Sequence, residues 1–457
     1  MKTFCNYIVM LAVVAVMVGC EDFLEVDMPK DQMGSVAVFN DDKLAEAAWV
    51  NTYSSLRMNG FLNGKTDGIG FLLACYADDL DVTNPNAIYY RNFFEHSVMP
   101  SNETVANLWN SSYKQIYHVN AVLEGVGRSE LMSDAMKNQI MGEALAVRAI
   151  LHFYLAQTFG DVPYVTVTDY EVNRKVAKNT VAQVMQYVIV DLKQAEELVP
   201  QQYASAERVR INKGAVQAFL ARMYLYTENW PLAGQYAEKV INTPGYEPEK
   251  LELLFLKEST SALWQFKPEI NGRNATEADT YIFEALPAPE SRLSQNLLNS
   301  FEMGDLRKEH WIKFLGTDFM NAHAFKYKVK GGSSINTSKE YSVVLRIEEQ
   351  YLIAAEAAAR LADWDTANSR LNTVRSSRGL EKVAFFETQQ LVNAVLKERR
   401  AEFFCEFGHR FYDLKRLGRL GDLLETKPNW RTGLEVLPLP ENELLLNPNL
   451  LPQNAGY

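Results

Sequence analysis

Two twenty-residue stretches of this chain are variations on one pattern. "ARMYLYTENWPLAGQYAEKV" (221–240) aligns without gaps on "AEAAARLADWDTANSRLNTV" (355–374). Ala221 and Ala355 each stand nine residues before a tryptophan, Trp230 or Trp364. Ala233 and Ala367 stand three after it, and Val240 and Val374 ten after it. Small residues let two helices approach closely, and the Trp marks the turn between them. Each copy therefore reads as an antiparallel helix pair that buries its apolar face only by stacking on neighbours.

The copies lie 134 residues apart, too far for a regular solenoid. The rest of the chain is nonetheless largely helical in pattern. A first helix is expected over 43–57 and a second over 102–126. The clearest period runs over 137–159, where Ile140, Ala144, Val147, Leu151, Leu155 and Phe159 recur at three- and four-residue steps. Gly160 then offers a C-cap and Pro163 forbids continuation. Thr180 and Gln183 fit a capping box, and Asn212 caps a further helix to about residue 228. These helices can supply more pairs. The expected fold is mostly α: a tetratricopeptide-like scaffold of about four pairs, over 33–244 and 341–457. Between its halves, 245–340 carries Pro244 at its edge, then Pro248, Pro268, Pro287 and Pro289. It holds strand-like "ALWQF" and "AFKYKV" and a flexible "KGGSSINTS". This region reads as a loop-rich insertion, the part of a rigid scaffold where binding usually sits.

The amino end has a different logic. Lys2 precedes an uncharged apolar run, 8–18, of signal-peptide length and too short to span a bilayer. Gly19-Cys20 then leads into acidic Glu21, Asp22 and Glu25. This resembles a bacterial lipoprotein signal, with Met17 and Val18 where Leu and a small residue are usual. Residues 1–19 are read as the signal, 20–32 as a tether lipidated at Cys20, and 33–457 as the body. Acyl chains on Cys20 would anchor that body without a spanning helix. An ordinary secretory signal with an incidental Cys is the alternative.

The formal net charge is −11, with no basic block, so nucleic acid is not an expected partner. Beyond Cys5 and Cys20 only Cys75 and Cys405 remain. Without a C-x-x-C pair they read as two separate buried thiols, with a cross-link as the alternative. The six histidines make no H-E-x-x-H, and no G-x-S-x-G, Walker or dinucleotide motif occurs. His152 reads as a packed polar residue. Glu398, Arg399, Glu402, Arg410 and Asp413 read as ion-pair partners that bind the last helices to the scaffold.

Several segments, in order, resemble one family. "RAILHFYLAQTFGDVPYVT" (148–166), "LRIEEQYLIAAEAAAR" (345–360), "ERRAEFFCEFGHRFYDLKRLG" (398–418) and "LPLPENELLLNPNLLPQNAGY" (437–457) are similar to the SusD/RagB proteins. These are surface nutrient-binding lipoproteins of Bacteroidota. The resemblance implies four helix pairs beside an irregular ligand-binding region. It also implies a place on the outer face of the outer membrane, and a role as the lid of a SusC-like TonB-dependent β-barrel transporter. Family members deliver oligosaccharides, some of them peptides, and are not enzymes.

Sugar capture needs aromatic faces for the apolar side of a pyranose and amides or charges for its hydroxyls. Two stretches carry both. "CYADDLDVTNPNAIYYRNFF" (75–94) offers Tyr76, Asn86, Tyr89, Tyr90, Arg91 and Asn92. "KPEINGRNATEADTYIF" (267–283) offers Arg273, Asn274 and Tyr281. Core packing is the competing role for each aromatic. Trp264 is expected in the core, and Trp311 is open. Asp78, Asp79 and Asp81 could instead hold Ca²⁺, although the loop lacks the Gly and terminal Glu of an EF-hand. No other cofactor is expected. A ligand-free assembly scaffold is the remaining alternative.

Overall fold

The computed structural model describes residues 38–457 except 318, 332–335 and 428. The expected signal (1–19), Cys20 and the tether to residue 32 lie outside the described residues, as do four residues of the Gly- and Ser-rich stretch. The chain opens with α1 (Asp42–Met58), α2 (Ile69–Tyr76), β1 (Leu80–Val82), α3 (Ile88–Phe94), α4 (Glu103–Arg128) and α5 (Asp134–Phe159). Then follow α6 (Tyr170–Asn173), α7 (Val181–Leu198), α8 (Lys213–Tyr226) and α9 (Trp230–Ile241). The next region holds β2 (Ala262–Phe266), α10 (Glu277–Tyr281), β3 (Ser291–Leu293), α11 (Gln295–Ser300), α12 (Leu306–His310), β4 (Ile312–Phe314), β5 (Ala322–Ala324) and β6 (Ser342–Arg346). Last come α13 (Ile347–Arg360), α14 (Trp364–Ser377), α15 (Thr388–Phe403), α16 (His409–Arg416) and α17 (Glu441–Leu446).

The fold is mostly helical, with stacked tetratricopeptide-like pairs. Packing runs α4 on α5, α5 on α7, α8 on α9, α9 on α13, and α13 on both α14 and α15. The two repeat copies form α8/α9 and α13/α14, and they share one turn. Glu228 and Ala362 both take a left-handed backbone, at φ 57° and 60°. Asn229 and Asp363 then cap the second helix of each pair with a side-chain oxygen. Ala221, Ala355, Ala233, Ala367, Val240 and Val374 are all fully buried. The left-handed turn also ends α8 at Tyr226, two residues short of expectation.

Because α9 packs directly on α13, the scaffold continues across the intervening region. β2 and β6 close that region's ends by antiparallel pairing, Ala262 opposite Arg346 and Phe266 opposite Ser342. Trp264 lies fully buried on β2 in the main core, as expected. Trp311 is also fully buried, in a second core that includes Phe71, Phe255 and Phe404. Lys326 and Arg378 stand over its ring at 5.0 and 5.5 Å. Cys75 and Cys405 share this second core as free thiols, and burial pushes Cys75 up to about 12.

Buried ion pairs join the intervening region to the scaffold. Glu402 on α15 receives Arg346 at 2.6 Å, Arg378 at 2.8 Å and Arg307 at 3.0 Å. Burial alone would raise its pKa; the guanidiniums of Arg378, Arg346 and Arg307 outweigh that and hold it well below the carboxylate range. Arg399 pairs with Asp413 at 2.7 Å, and Arg410 with Asp78 at 2.7 Å. These residues serve structure, as the sequence suggested. His152 does too. Its Nε2 accepts from the Val165 N–H (3.0 Å), so its Nδ1 carries the proton and donates to the Arg148 carbonyl (2.9 Å). Among the described residues no helix is long and apolar enough to cross a membrane.

Candidate ligand-binding surface

The segment 75–94 does not form one loop. It comprises the end of α2, then β1, a turn, and α3. The first half is interior. Tyr76 is fully buried; its hydroxyl donates to the Leu434 carbonyl (2.9 Å), and its ring meets His96, Phe411 and Trp430. Asp78 accepts both arms of Arg410 (2.7 and 2.9 Å) and lies 3.0 Å from Arg400. Asp79 accepts from the Cys405 N–H and lies 3.6 Å from Arg400. Burial would lift both carboxyls. Arg410 and Arg400 hold Asp78 below the usual range, whereas Asp79, farther from a guanidinium and beside the Asp78 charge, stays above it. Asp81 faces Arg292 across the β1–β3 pair at 3.7 Å. These carboxylates therefore face guanidiniums and do not form an oxygen cage for calcium.

The second half is exterior. Asn84 Oδ1 accepts from the Asn86 N–H, an Asx-turn that starts α3. Asn86 and Tyr89 are exposed, Tyr89 at 56 %. Arg91, also on α3, pairs with Glu95 at 2.7 Å on a half-exposed face, and Asn92 is half-buried beside it. Tyr90 turns inward, edge-on to Phe71 at 5.1 Å.

The second predicted stretch divides in the same way. Tyr281 is buried and donates to the Cys405 carbonyl (3.1 Å), its ring 6.0 Å from Phe71. Phe71 thus bridges the two stretches. Asn274 is fully buried; its Oδ1 accepts from the Lys339 and Glu340 N–H groups. Arg273 is exposed and reaches the Gly331 carbonyl at 3.4 Å. Tyr76, Asn274 and Tyr281 are therefore framework, a correction to the expected ligand contacts. The two hydroxyls and the Asn274 Oδ1 are taken up by the chain itself.

What lies beside the exposed half of 75–94 was not foreseen. β1 pairs antiparallel with β3, and Thr83 and Asn84 bond the 288–290 turn. β3 packs on β5, which pairs with β4. The β4–β5 hairpin carries Phe319, 69 % exposed and in a left-handed backbone (φ 53°). A bulky residue rarely adopts that conformation, and here it marks a ring displayed at a loop tip, edge-on to Phe314 at 5.7 Å. Ile88 and Leu286 add exposed apolar surface, at 65 % and 46 %. An aromatic after Gly316 and Thr317, between two apolar runs, was the available sequence signal.

Between them, α3 with its preceding turn and the β4–β5 hairpin carry exposed aromatic rings, amides and a half-exposed arginine. The nearby His96 and His323 are buried, and burial lowers both imidazoles to about 4. The arrangement suits holding a ligand. It defines a class: a helical-repeat scaffold with an irregular insertion between its halves. Comparison with known proteins gives that class a family. A family described as "Starch-binding associating with outer membrane" matches residues 22–225, and "SusD family" matches 305–422. SusD-like protein P2 of Formosa agariphila is 25 % identical, covering 98 % of this chain and 99 % of its own. A SusD superfamily protein from Bacteroides vulgatus superposes with a TM-score of 0.79 at 20 % identity, over 91 % of this chain and 99 % of its own. A laminarin-binding SusD-like protein gives 0.75 at 22 % identity, over 91 % and 99 %. The chain belongs to the SusD/RagB family, which is outer-membrane associated.

Proposed function

We propose that this protein is a cell-surface lipoprotein, anchored through Cys20, that captures oligosaccharides. It hands them to a SusC-like TonB-dependent transporter as that transporter's lid. The observation that carries the reading is the exposed aromatic surface built from α3 and the β4–β5 hairpin. Tyr89 and Phe319 offer ring faces, while Asn86, Asn92 and Arg91 offer hydrogen bonds to hydroxyls. The starch-binding description of the matched family and the laminarin-binding relative support a glycan. The work is binding and release, with no bond made or broken.

Calorimetric titration of residues 21–457 with maltoheptaose, laminariheptaose and mixed peptides tests this. A micromolar to millimolar affinity, about −8 to −4 kcal/mol, is expected for one glycan class. Tyr89→Ala or Phe319→Ala should weaken it at least tenfold. Heat from peptides alone would move the ligand class to peptides. Silence with a folded protein would favour an assembly scaffold.

A further inference from the structure

A second cleft, of about 460 Å³, shares no residue with α3 or the hairpin. One wall is a stripe of α4: Trp109, Tyr113 and Tyr117, spaced four apart and so on one helix face. The other walls are the 163–176 segment with α6, and α17 with the turn that follows it. The volume falls in the range of small-molecule sites.

The lining divides into a fixed floor and free rims. Trp109 is nearly buried and stacks at a tilt on Tyr113, 4.8 Å between centroids. Tyr113 donates its hydroxyl to the Pro163 carbonyl (2.9 Å), which fastens the 163–176 segment to α4. Tyr117 and Tyr170 stand at the rim, 49 % and 73 % exposed. The lining also carries acceptors. Asn173 donates its amide to the Val167 carbonyl, but its Oδ1 is buried without a partner. A buried amide oxygen left unpaired is costly unless something donates to it. Glu443 adds a half-buried carboxylate, whose pKa burial raises and the Trp109 indole partly restores.

A ligand for this cleft brings an apolar face for the tyrosines and several O–H donors for Asn173 and Glu443. A pyranose ring has both. We propose that the cleft of α4, α6 and α17 is a second carbohydrate site, taking a sugar ring between Tyr117 and Tyr170 with Asn173 and Glu443 as hydroxyl acceptors. The proposal rests on the glycan reading above. Its consequence is avidity: one long chain that reaches both surfaces is held more tightly than either surface alone holds it.

The test titrates the full body, 21–457, with maltoheptaose and laminariheptaose, in wild type, Tyr89→Ala and the double variant Tyr117→Ala/Tyr170→Ala. Both cleft tyrosines are exposed, so the double variant should keep the wild-type unfolding temperature. Two sites per wild-type chain are expected, with each variant losing one. Glu443→Gln should weaken the cleft site about fivefold and leave the other unchanged. Binding that survives Tyr89→Ala but disappears in the double variant also upholds the cleft, and moves the capture site there. One site, lost in Tyr89→Ala and untouched by the double variant, overturns the cleft while leaving glycan capture intact. It does so even if the double variant loses a protein partner. No heat from wild type with either glycan overturns both readings.

Discussion

The two halves of the segment 76–94 use the same kinds of residue for opposite ends. In the first half Tyr76, Asp78 and Asp79 are buried, and Tyr76 and Asp78 are fully engaged with a carbonyl or guanidiniums. In the second, Asn86 stands at the surface in a turn, and Tyr89 and Arg91 on the short helix that follows. A tyrosine or aspartate is a candidate ligand contact only while its polar group is free. What separates the halves is the set of partners that distant parts of the chain bring: Leu434, Arg400, Arg410 and Cys405 meet the first half and leave the second alone.

The sharpest way to break this contrast is to remove a partner in the buried half. Asp78→Ala takes from Arg410 its paired carboxylate and leaves Arg400 with Asp79 at 3.6 Å and the Asn296 amide oxygen at 2.7 Å. Breaking a buried pair from one side costs about 3–5 kcal/mol, and chemical denaturation should show a loss of that size. A loss under about 1 kcal/mol, the level of an exposed ion pair, would mean that Asp79 takes over both guanidiniums.

Acidification strains the same half. His96 packs against Tyr76, donates from Nε2 to the Tyr76 carbonyl (2.7 Å), and has a buried Nδ1 without a partner. Burial lowers its pKa to about 4, whereas an unfolded histidine titrates near 6.5. Between those values the unfolded chain binds a proton that the folded chain refuses, so stability falls as pH drops through that window. The histidine's share by pH 5 is about 2 kcal/mol. Thermal unfolding at pH 7 and pH 5 in wild type and in a His96 variant measures it as the difference between the two, because burial lowers His152 and His323 as well. His96→Asn, a residue that tolerates the left-handed backbone at φ 52°, should flatten the slope.

The helical scaffold was legible in the sequence because its signals are local. The repeat, the Thr180 capping box and the Gly160 stop all lie within a few residues of what they determine. Burial of Trp264 was legible from its apolar run. The candidate surface was only half legible. Composition pointed to 75–94, but which of its residues face outward depends on contacts made hundreds of positions away, such as Tyr76 with Leu434. Phe319 was missed because its local signal, a ring after Gly316 and Thr317, marks a turn but not a ring on display. The pairing of β1 with β3, which places the insertion beside α3, spans more than two hundred residues.

A smaller effect isolates one group of the buried half. Tyr76→Phe keeps the ring in its aromatic nest and removes the bond to the Leu434 carbonyl and the longer one shared with the Tyr457 hydroxyl. The loss is about 1 kcal/mol, read by denaturation, with glycan affinity unchanged. A large fall in affinity at unchanged stability would return Tyr76 to the ligand site and erase the division between the halves.

Tyr89→Ala is the opposite experiment, and its stability effect is the smallest. The ring is more than half exposed, and among the described residues no other ring packs against it. Surface substitutions of this kind stay within about 0.5 kcal/mol. The same change removes a platform for a sugar face, so stability and binding should separate: an unfolding curve superimposable on wild type and an affinity at least tenfold weaker. If the curve moves as well, Tyr89 belongs to the framework with Tyr76, and Phe319 on the β4–β5 hairpin becomes the ring on which capture depends.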